Sequence, residues 1–149
     1  MKILLAVDGS EFSPAATQVL VSQTRREGAE VLVLRVVEPR AFFTPPQMAP
    51  GYAPEQDGII KEDFLYAQES VDQASQALRT AGFTVNTRVV EAEARNAILD
   101  IAAEWRADLV VLGSHGRKGF RRFLLGSVAE FVARHAHCSV WIVRIPLDR

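Results

Sequence analysis

The sequence predicts an α/β fold in which helices cover both faces of an open parallel β-sheet. Short runs rich in Val, Ile and Leu alternate with segments of helical apolar spacing, in the order β-α-β-α-β-α-β-α-β. The two most apolar runs, 3–7 and 109–112, are each followed by a turn containing Gly and Ser. Such runs are typical of central strands, whose carboxyl ends carry the ligands of open α/β sheets. At 149 residues, the chain is expected to form one domain, residues 1–149.

The first half of the chain predicts two strands, a helix and a long loop. Residues 3–7 predict the first strand and 31–37 the second. Between them, Ser13-Pro14 predicts an N-cap followed by the first helical position, and Gly28 predicts the C-terminal stop. Residues 39–54 hold five of the seven prolines, so this segment predicts an irregular loop.

The second half predicts three helices and three strands. Its longest helix, ended by Gly82, is indicated by apolar residues spaced four and three apart: Ile60, Phe64, Ala67, Val71, Ala74 and Leu78. Residues 83–90 alternate and are more polar, which predicts a third strand near a sheet edge. The remaining elements are a short helix over 96–105, a strand at 109–112, a helix over 127–135 and a last strand over 140–145.

Composition and charge disfavour nucleic acids and membranes as partners of this chain. A formal net charge of −1 disfavours bulk electrostatic binding to nucleic acid or to an anionic membrane. Cys138 is the single cysteine, which excludes an intrachain disulfide. The first ten residues are too short for the apolar region of a signal peptide, and no run reaches the ~18 apolar residues of a membrane span. We therefore expect a cytoplasmic protein.

The segment 113–127, GSHGRKGFRRFLLGS, carries the strongest functional signal. Gly113, Gly116 and Gly126 let backbone N–H groups approach a phosphate, and Gly126-Ser127 opens a helix whose first N–H groups are unpaired. These glycines also suit ordinary turns, although their combination favours a nucleotide phosphate site. The segment also holds four cations, which are either a solvated face or, at one or two positions, phosphate ligands: Arg117, Lys118, Arg121 and Arg122. No aromatic platform accompanies them, which disfavours nucleic-acid binding.

Other polar residues allow two interpretations each. Asp8 is either a helix-entry or Asx-turn residue or part of a ligand site. His115 either contacts a ligand or is a solvated loop histidine. His135 and His137 lack a third metal ligand, which favours a helix-end cap over a metal site.

The spacing Gly-x₂-Gly-x₉-Gly-(Ser/Thr) resembles the nucleotide-binding signature of the ATP-binding universal stress proteins. Here residues 113–116 are followed by nine residues and then by Gly126-Ser127. Four further segments are similar to the family: ILLAVDGS, LVLRVVEP, ADLVVLGSHGR and LLGSVAEFVARHAHCSVWIVR. One departure is visible in Glu91-Ala92-Glu93, where the family usually has glycine after the third strand.

The resemblance implies a five-stranded parallel sheet in the order 3-2-1-4-5 and a homodimer that pairs through the last strand. It also implies that Asp8 and the backbone of Val36 contact adenine. The residues implied around ribose and phosphates, with Mg²⁺ or Mn²⁺ on the phosphates, are Gly113, His115, Gly116, Arg117, Gly126, Ser127 and Val128.

Three function classes follow. The first is a small ATP-binding regulator of the stress response, in which nucleotide orders the 39–56 and 117–125 loops. The second is a nucleotide-free homodimeric interaction module, in which the glycines only shape the loop. The third is an enzyme, a slow ATPase or a nucleotidyl transferase, although the chain has no GxxxxGK[ST] P-loop and no obvious residue to orient an attacking water.

Overall fold

Strands and helices alternate along the whole described chain. The computed structural model describes residues 1–40, 56–116 and 124–145. The elements are β1 (Lys2–Val7), α1 (Phe12–Gln23), β2 (Glu30–Val37), α2 (Gln56–Thr80), β3 (Thr84–Glu91), α3 (Ala94–Glu104), β4 (Leu109–Gly113), α4 (Ser127–His135) and β5 (Ser139–Val143).

The five strands form one parallel sheet in the order β3-β2-β1-β4-β5. This confirms the predicted fold and strand order. The sheet order reverses between β1 and β4, which pair through Ile3 with Leu109, Leu4 with Val110 and Leu5 with Val111. β3 lies at one edge, as its polar alternation predicts, and β5 lies at the other.

The core forms two layers, one on each face of the sheet. Ile3 and Leu5 of β1 pack with residues of α1 and α2, including Leu20 and Leu78. Leu4, which points to the opposite face, packs with residues of α3 and α4. All three β1 side chains are fully buried, and each such burial stabilises the fold by roughly 1.5–3 kcal/mol. This explains why β1 is apolar without interruption.

The first helix differs from its prediction at both ends. α1 begins at Phe12, so Ser13 lies inside the first turn and Glu11 is the N-cap residue. Ser13 instead bonds the backbone that precedes the helix. α1 ends at Gln23, well before Gly28, which has a φ of +70° in the turn before β2.

The long second helix is buried over less of its length than its apolar spacing predicts. Ala67, Val71, Ala74 and Leu78 are buried, but Phe64 is half-buried and Ile60 is 40% exposed. β5 ends at Val143, which places Ile145 beyond the strand. The predicted loop over 39–54 falls mostly on residues 41–55, which lie outside the described ranges.

No helix within the described ranges combines the length and apolar character needed to cross a bilayer.

Candidate functional site

The turns that follow β1 and β4 meet where the sheet order reverses. A β-carbon added to Gly116, after β4, would lie 2.9 Å from the Oδ2 atom of Asp8, after β1. The Asp8 carboxylate therefore lies close to the Gly116 backbone, and this junction of the two turns at the carboxyl edge of the sheet is called the crevice below. Parallel α/β sheets bind their ligands at this position. Only a residue without a side chain at position 116 leaves room for the Asp8 carboxylate in this arrangement.

One oxygen of Asp8 is fixed by its own turn, and the other faces Gly116. Asp8 Oδ1 accepts hydrogen bonds from the Ser10 amide at 2.9 Å, the Ser10 hydroxyl at 2.5 Å and the Ser13 hydroxyl at 3.0 Å. Asp8 is thus an Asx-turn residue whose second carboxylate oxygen is directed at the crevice. The two sequence interpretations of Asp8 are therefore compatible.

Ser13 links this turn to α1. Its Oγ accepts from the backbone amides of Asp8 at 3.0 Å and Gly9 at 3.3 Å, while it donates to Asp8 Oδ1. Ser13 is buried, with a relative exposure of 7%. The hydroxyl therefore accepts hydrogen bonds from two backbone N–H groups of the turn before α1. Without it, these donors would have no partner there.

Gly113 is required by packing at the end of β4. A β-carbon on residue 113 would lie 2.4 Å from the Cβ atom of Phe12, at the start of α1. Real β-carbons do not approach this closely, so only glycine lets α1 pack against the end of β4. The Phe12 ring also lies 5.6 Å from the His115 ring, centre to centre, in a tilted arrangement. Gly113 thus allows close packing of α1 against the end of β4.

Ser114 connects the crevice to the sheet and to α4. Its amide donates to the carbonyl of Val143 at 2.7 Å, and its carbonyl accepts from the Gly126 amide at 2.7 Å. Its hydroxyl lies 3.1 Å from His115 Nδ1. Ser114 is only 2% exposed, so these bonds are shielded from water and hold the loop after β4 against the start of α4.

The start of α4 presents backbone donors at this edge. Gly126 is the N-cap residue and supplies no side-chain cap, so Ser127 and Val128 begin a helix whose first amides have no intrahelical acceptor. These amides and the helix dipole favour an anion. A β-carbon on Gly126 would lie 3.1 Å from the Ser114 carbonyl oxygen and 3.2 Å from His115 Cα. The glycine therefore allows the two loops to approach closely.

The backbone polar groups of Val36 point to the β1 side at the same carboxyl edge of the sheet. The carbonyl of Val37 accepts from the Ala92 amide at 3.0 Å, on the β3 side. Because successive residues of a strand point their polar groups to opposite sides, those of Val36 face the β1 side. The last paired position there is Val7 with Arg35, one residue earlier. The Val36 groups therefore extend past the end of β1.

The structure brings together Asp8, Val36, Gly113, His115, Gly116, Gly126, Ser127 and Val128 at the carboxyl edge of the sheet. Arg117 belongs to 117–123, outside the described residues, as do Lys118, Arg121 and Arg122.

Two residues near the crevice were missed by sequence reasoning. Arg35 of β2 is only 7% exposed and places Nη1 3.5 Å from the carbonyl oxygen of Val7. Tyr66 of α2 donates from its hydroxyl to the Gly9 carbonyl at 3.0 Å. An arginine inside the apolar run 31–37 is a signal that could have been read, since a charge in a buried strand needs a partner. Nothing local marks Tyr66, because Gly9 lies 57 residues away.

His135, at the end of α4, has a backbone carbonyl as its partner. His135 Nδ1 lies 2.8 Å from the carbonyl oxygen of Phe131, in the final turn of α4, and the two rings stack. This confirms the helix-end role predicted for His135. Across the described residues, no group of three or more His, Cys, Asp and Glu side chains is arranged to hold a metal ion.

Comparison with known proteins identifies the family. A family model described as the universal stress protein family matches residues 1–144. The chain belongs to the universal stress protein family. A universal stress protein of Methanocaldococcus jannaschii is 33% identical over 145 residues, which cover 97% of this chain and 82% of that relative.

Solved universal stress proteins share the fold. The universal stress protein UspA from Lactobacillus plantarum superposes with a TM-score of 0.81 at 26% identity and 97% coverage of each chain. A universal stress protein from Archaeoglobus fulgidus in complex with dAMP has a TM-score of 0.67 at 25% identity, covering 95% of this chain and 96% of that one.

Proposed function

We propose that this universal stress protein is a cytoplasmic, single-domain ATP-binding regulator of the stress response. ATP would occupy the crevice between the ends of β1 and β4. The observation that carries the proposal is the convergence of the Asp8 carboxylate, the side-chain-free Gly116 backbone and the uncapped start of α4. The complex of the A. fulgidus relative with dAMP supports an adenine nucleotide as the ligand class.

Each part of the nucleotide has a chemically suited partner in this proposal. The phosphates would accept hydrogen bonds from the first amides of α4, at Ser127 and Val128, with Gly113, His115, Gly116 and Arg117 around the phosphates and ribose. Each such charge-assisted bond is worth roughly 1.5–3 kcal/mol. Adenine would lie near Val36, whose backbone polar groups point to the β1 side, and its amino group would donate to Asp8.

Asp8 would repel phosphate, so the proposal requires that it contact adenine rather than the phosphates. The described residues offer no metal cluster of their own. Mg²⁺ or Mn²⁺ would therefore be held mainly by the nucleotide phosphates, where it would neutralise their charge.

The proposal includes a homodimer that pairs through β5. β5 is an edge strand, and its Trp141 side chain is only half-buried against the α1 face of the core. An unpaired edge is a natural template for a symmetry-related strand. Sedimentation equilibrium is expected to give twice the mass of the chain, and a monomer mass across the micromolar range would contradict β5 pairing.

A nucleotide-free interaction module is the second candidate. It is favoured by one observation: Gly113 is explained by its contact with Phe12 without any ligand. Mass spectrometry of small molecules released from the purified protein separates the two candidates. A co-purified adenine nucleotide supports the first, whereas empty protein that gives no heat with ATP and Mg²⁺ in calorimetry supports the second.

Substitution of Gly116 tests the crevice directly. In Gly116→Ala the new β-carbon would contact Asp8 Oδ2 at 2.9 Å and displace the carboxylate or the loop. We expect ATP affinity to fall by about tenfold or more, equivalent to roughly 1.4 kcal/mol. Gly58→Ala on α2 is the matched control, because a β-carbon there meets no atom within 4 Å. Equal ATP affinities for the two variants would show that the crevice is not the nucleotide site.

A further inference from the structure

A cavity lies between α1 and α2, beside the Asp8 turn. It is open to solvent along a rim that includes the exposed residues Pro14, Glu69 and Ala77, and its volume of about 380 Å³ is within the range of small-molecule sites. Gly9 and Ser10 form one end of it, but neither Asp8 nor Gly116 lines it. The cavity is therefore separate from the nucleotide crevice, although the Ser10 and Ser13 hydroxyls that line it also bond Asp8.

Part of the cavity wall is apolar. Pro14 of α1 and Ala74 and Ala77 of α2 contribute small apolar side chains. Small side chains at these positions leave the space between the helices unfilled. A short methylene chain would remove this apolar surface from water, at roughly 25 cal/mol per Å².

The hydroxyl groups of the cavity present acceptors rather than donors. The Ser70 hydroxyl donates to the Tyr66 carbonyl at 3.0 Å, the Tyr66 hydroxyl to the Gly9 carbonyl at 3.0 Å, and the Ser10 hydroxyl to Asp8 Oδ1 at 2.5 Å. Each proton is already directed at an acceptor of the protein. A hydroxyl has one proton and two lone pairs, so what it adds to a cavity in this state is acceptor capacity.

The charge of the cavity has one sign. Glu69 of α2 is the single carboxylate among the described residues that line it, and none of those residues is lysine, arginine or histidine. A phosphate or carboxylate ligand would meet a like charge, although the side-chain amides of Gln18 and Gln73 could donate to it. An ammonium group would meet an opposite charge and several acceptor oxygens.

We propose that the α1–α2 cavity binds a small aliphatic amine, with its ammonium group at Glu69 and the hydroxyl oxygens and its methylene chain against Pro14, Ala74 and Ala77. The site is distinct from the nucleotide crevice, because neither Asp8 nor Gly116 lines it and it contains no helix N-terminal amides of α4. The assignment does not depend on whether the protein binds ATP.

The probe is butane-1,4-diamine, titrated into nucleotide-free ¹⁵N-labelled protein and followed by amide chemical shifts. We expect saturable shifts centred on residues 9–18 and 66–77. Butane-1,4-diol, which has the same chain length and no charge, is expected to bind at least roughly fivefold more weakly, as the loss of an ion pair of about 1 kcal/mol implies. Equal binding of diol and diamine would overturn the amine assignment.

Two variants locate the site. Glu69→Gln removes the carboxylate and is expected to weaken diamine binding roughly fivefold, whereas Glu62→Gln, an exposed change on the same helix and outside the cavity lining, leaves it unchanged. Ala77→Leu fills the cavity and is expected to abolish saturable shifts. Ala103→Leu on the exposed face of α3 is its control. Shifts that survive Ala77→Leu, or that both glutamate variants weaken equally, would assign diamine binding to the general acidic surface and reject the proposal.

Discussion

The hydroxyl of Ser13 holds the Asp8 turn together, and its removal is expected to destabilise the protein measurably. The group takes part in three hydrogen bonds, with the Asp8 amide, the Gly9 amide and Asp8 Oδ1. A typical hydrogen bond contributes a net 0.5–1.5 kcal/mol, so three give about 3 kcal/mol. Because the turn is only half-buried, water will replace part of this. We expect Ser13→Ala to lower the free energy of unfolding by about 2 kcal/mol.

Urea and thermal unfolding without nucleotide measure this loss. For a domain of this size, 2 kcal/mol corresponds to a fall in Tm of roughly 4–8 °C. Ser22→Ala is the matched control, because Ser22 is exposed on the same helix and donates only to the Val19 carbonyl, at 3.1 Å. That variant is expected to stay within about 0.5 kcal/mol of the parent protein. If the two variants unfold alike, the turn does not depend on Ser13 and the reasoning is wrong.

Three further results are expected. Gly113→Ala, whose β-carbon would lie 2.4 Å from Phe12 Cβ, should destabilise the nucleotide-free protein by roughly 2–3 kcal/mol in urea, and an unchanged midpoint would remove the packing explanation. Hydrogen bonds from Arg95 and the Asn96 amide lower the pKa of Glu93, the N-cap of α3, so its stabilisation is present above the pKa of an unfolded glutamate and is lost as the pH falls. Glu93→Ala should therefore flatten the acid limb of the Tm–pH curve relative to the parent protein. Burial raises the pKa of the Cys138 thiol, so iodoacetamide should alkylate it more slowly than a free thiol at about pH 8, and urea should abolish the difference.

The fold was predictable because its signals are local and repeated. The two central strands β1 and β4 are unbroken runs of apolar residues, and apolar residues recur at helical spacing in the helices, so element type and order follow from periodicity. The polar alternation of β3 even indicated its edge position, which the sheet order confirms. The residues proposed for the nucleotide site, other than Arg117, are gathered at one sheet edge because parallel strands all end there.

What could not be predicted depends on contacts between distant residues. Ser13 has the sequence signature of an N-cap, but its hydroxyl bonds the turn before the helix. This alternative can be recognised only when the position of Asp8 is known. The Gly113 signature fits a phosphate loop, whereas its requirement for glycine comes from the Phe12 side chain, about a hundred residues earlier. Tyr66 and the α1–α2 cavity arise from the packing of two helices, which no local pattern records.

The bonds of Ser114 have a kinetic consequence. Its amide bonds β5 and its carbonyl bonds the start of α4, and both bonds are shielded from water. These hydrogen bonds therefore fix the backbone around Ser114 before any ligand binds. If this segment were flexible, ordering it during association would cost part of the binding free energy and would lower the association rate constant. A ligand that binds at this edge instead meets a preorganised surface. Differences in its residence time among variants will therefore reflect the strength of its contacts with the protein rather than the ordering of this segment.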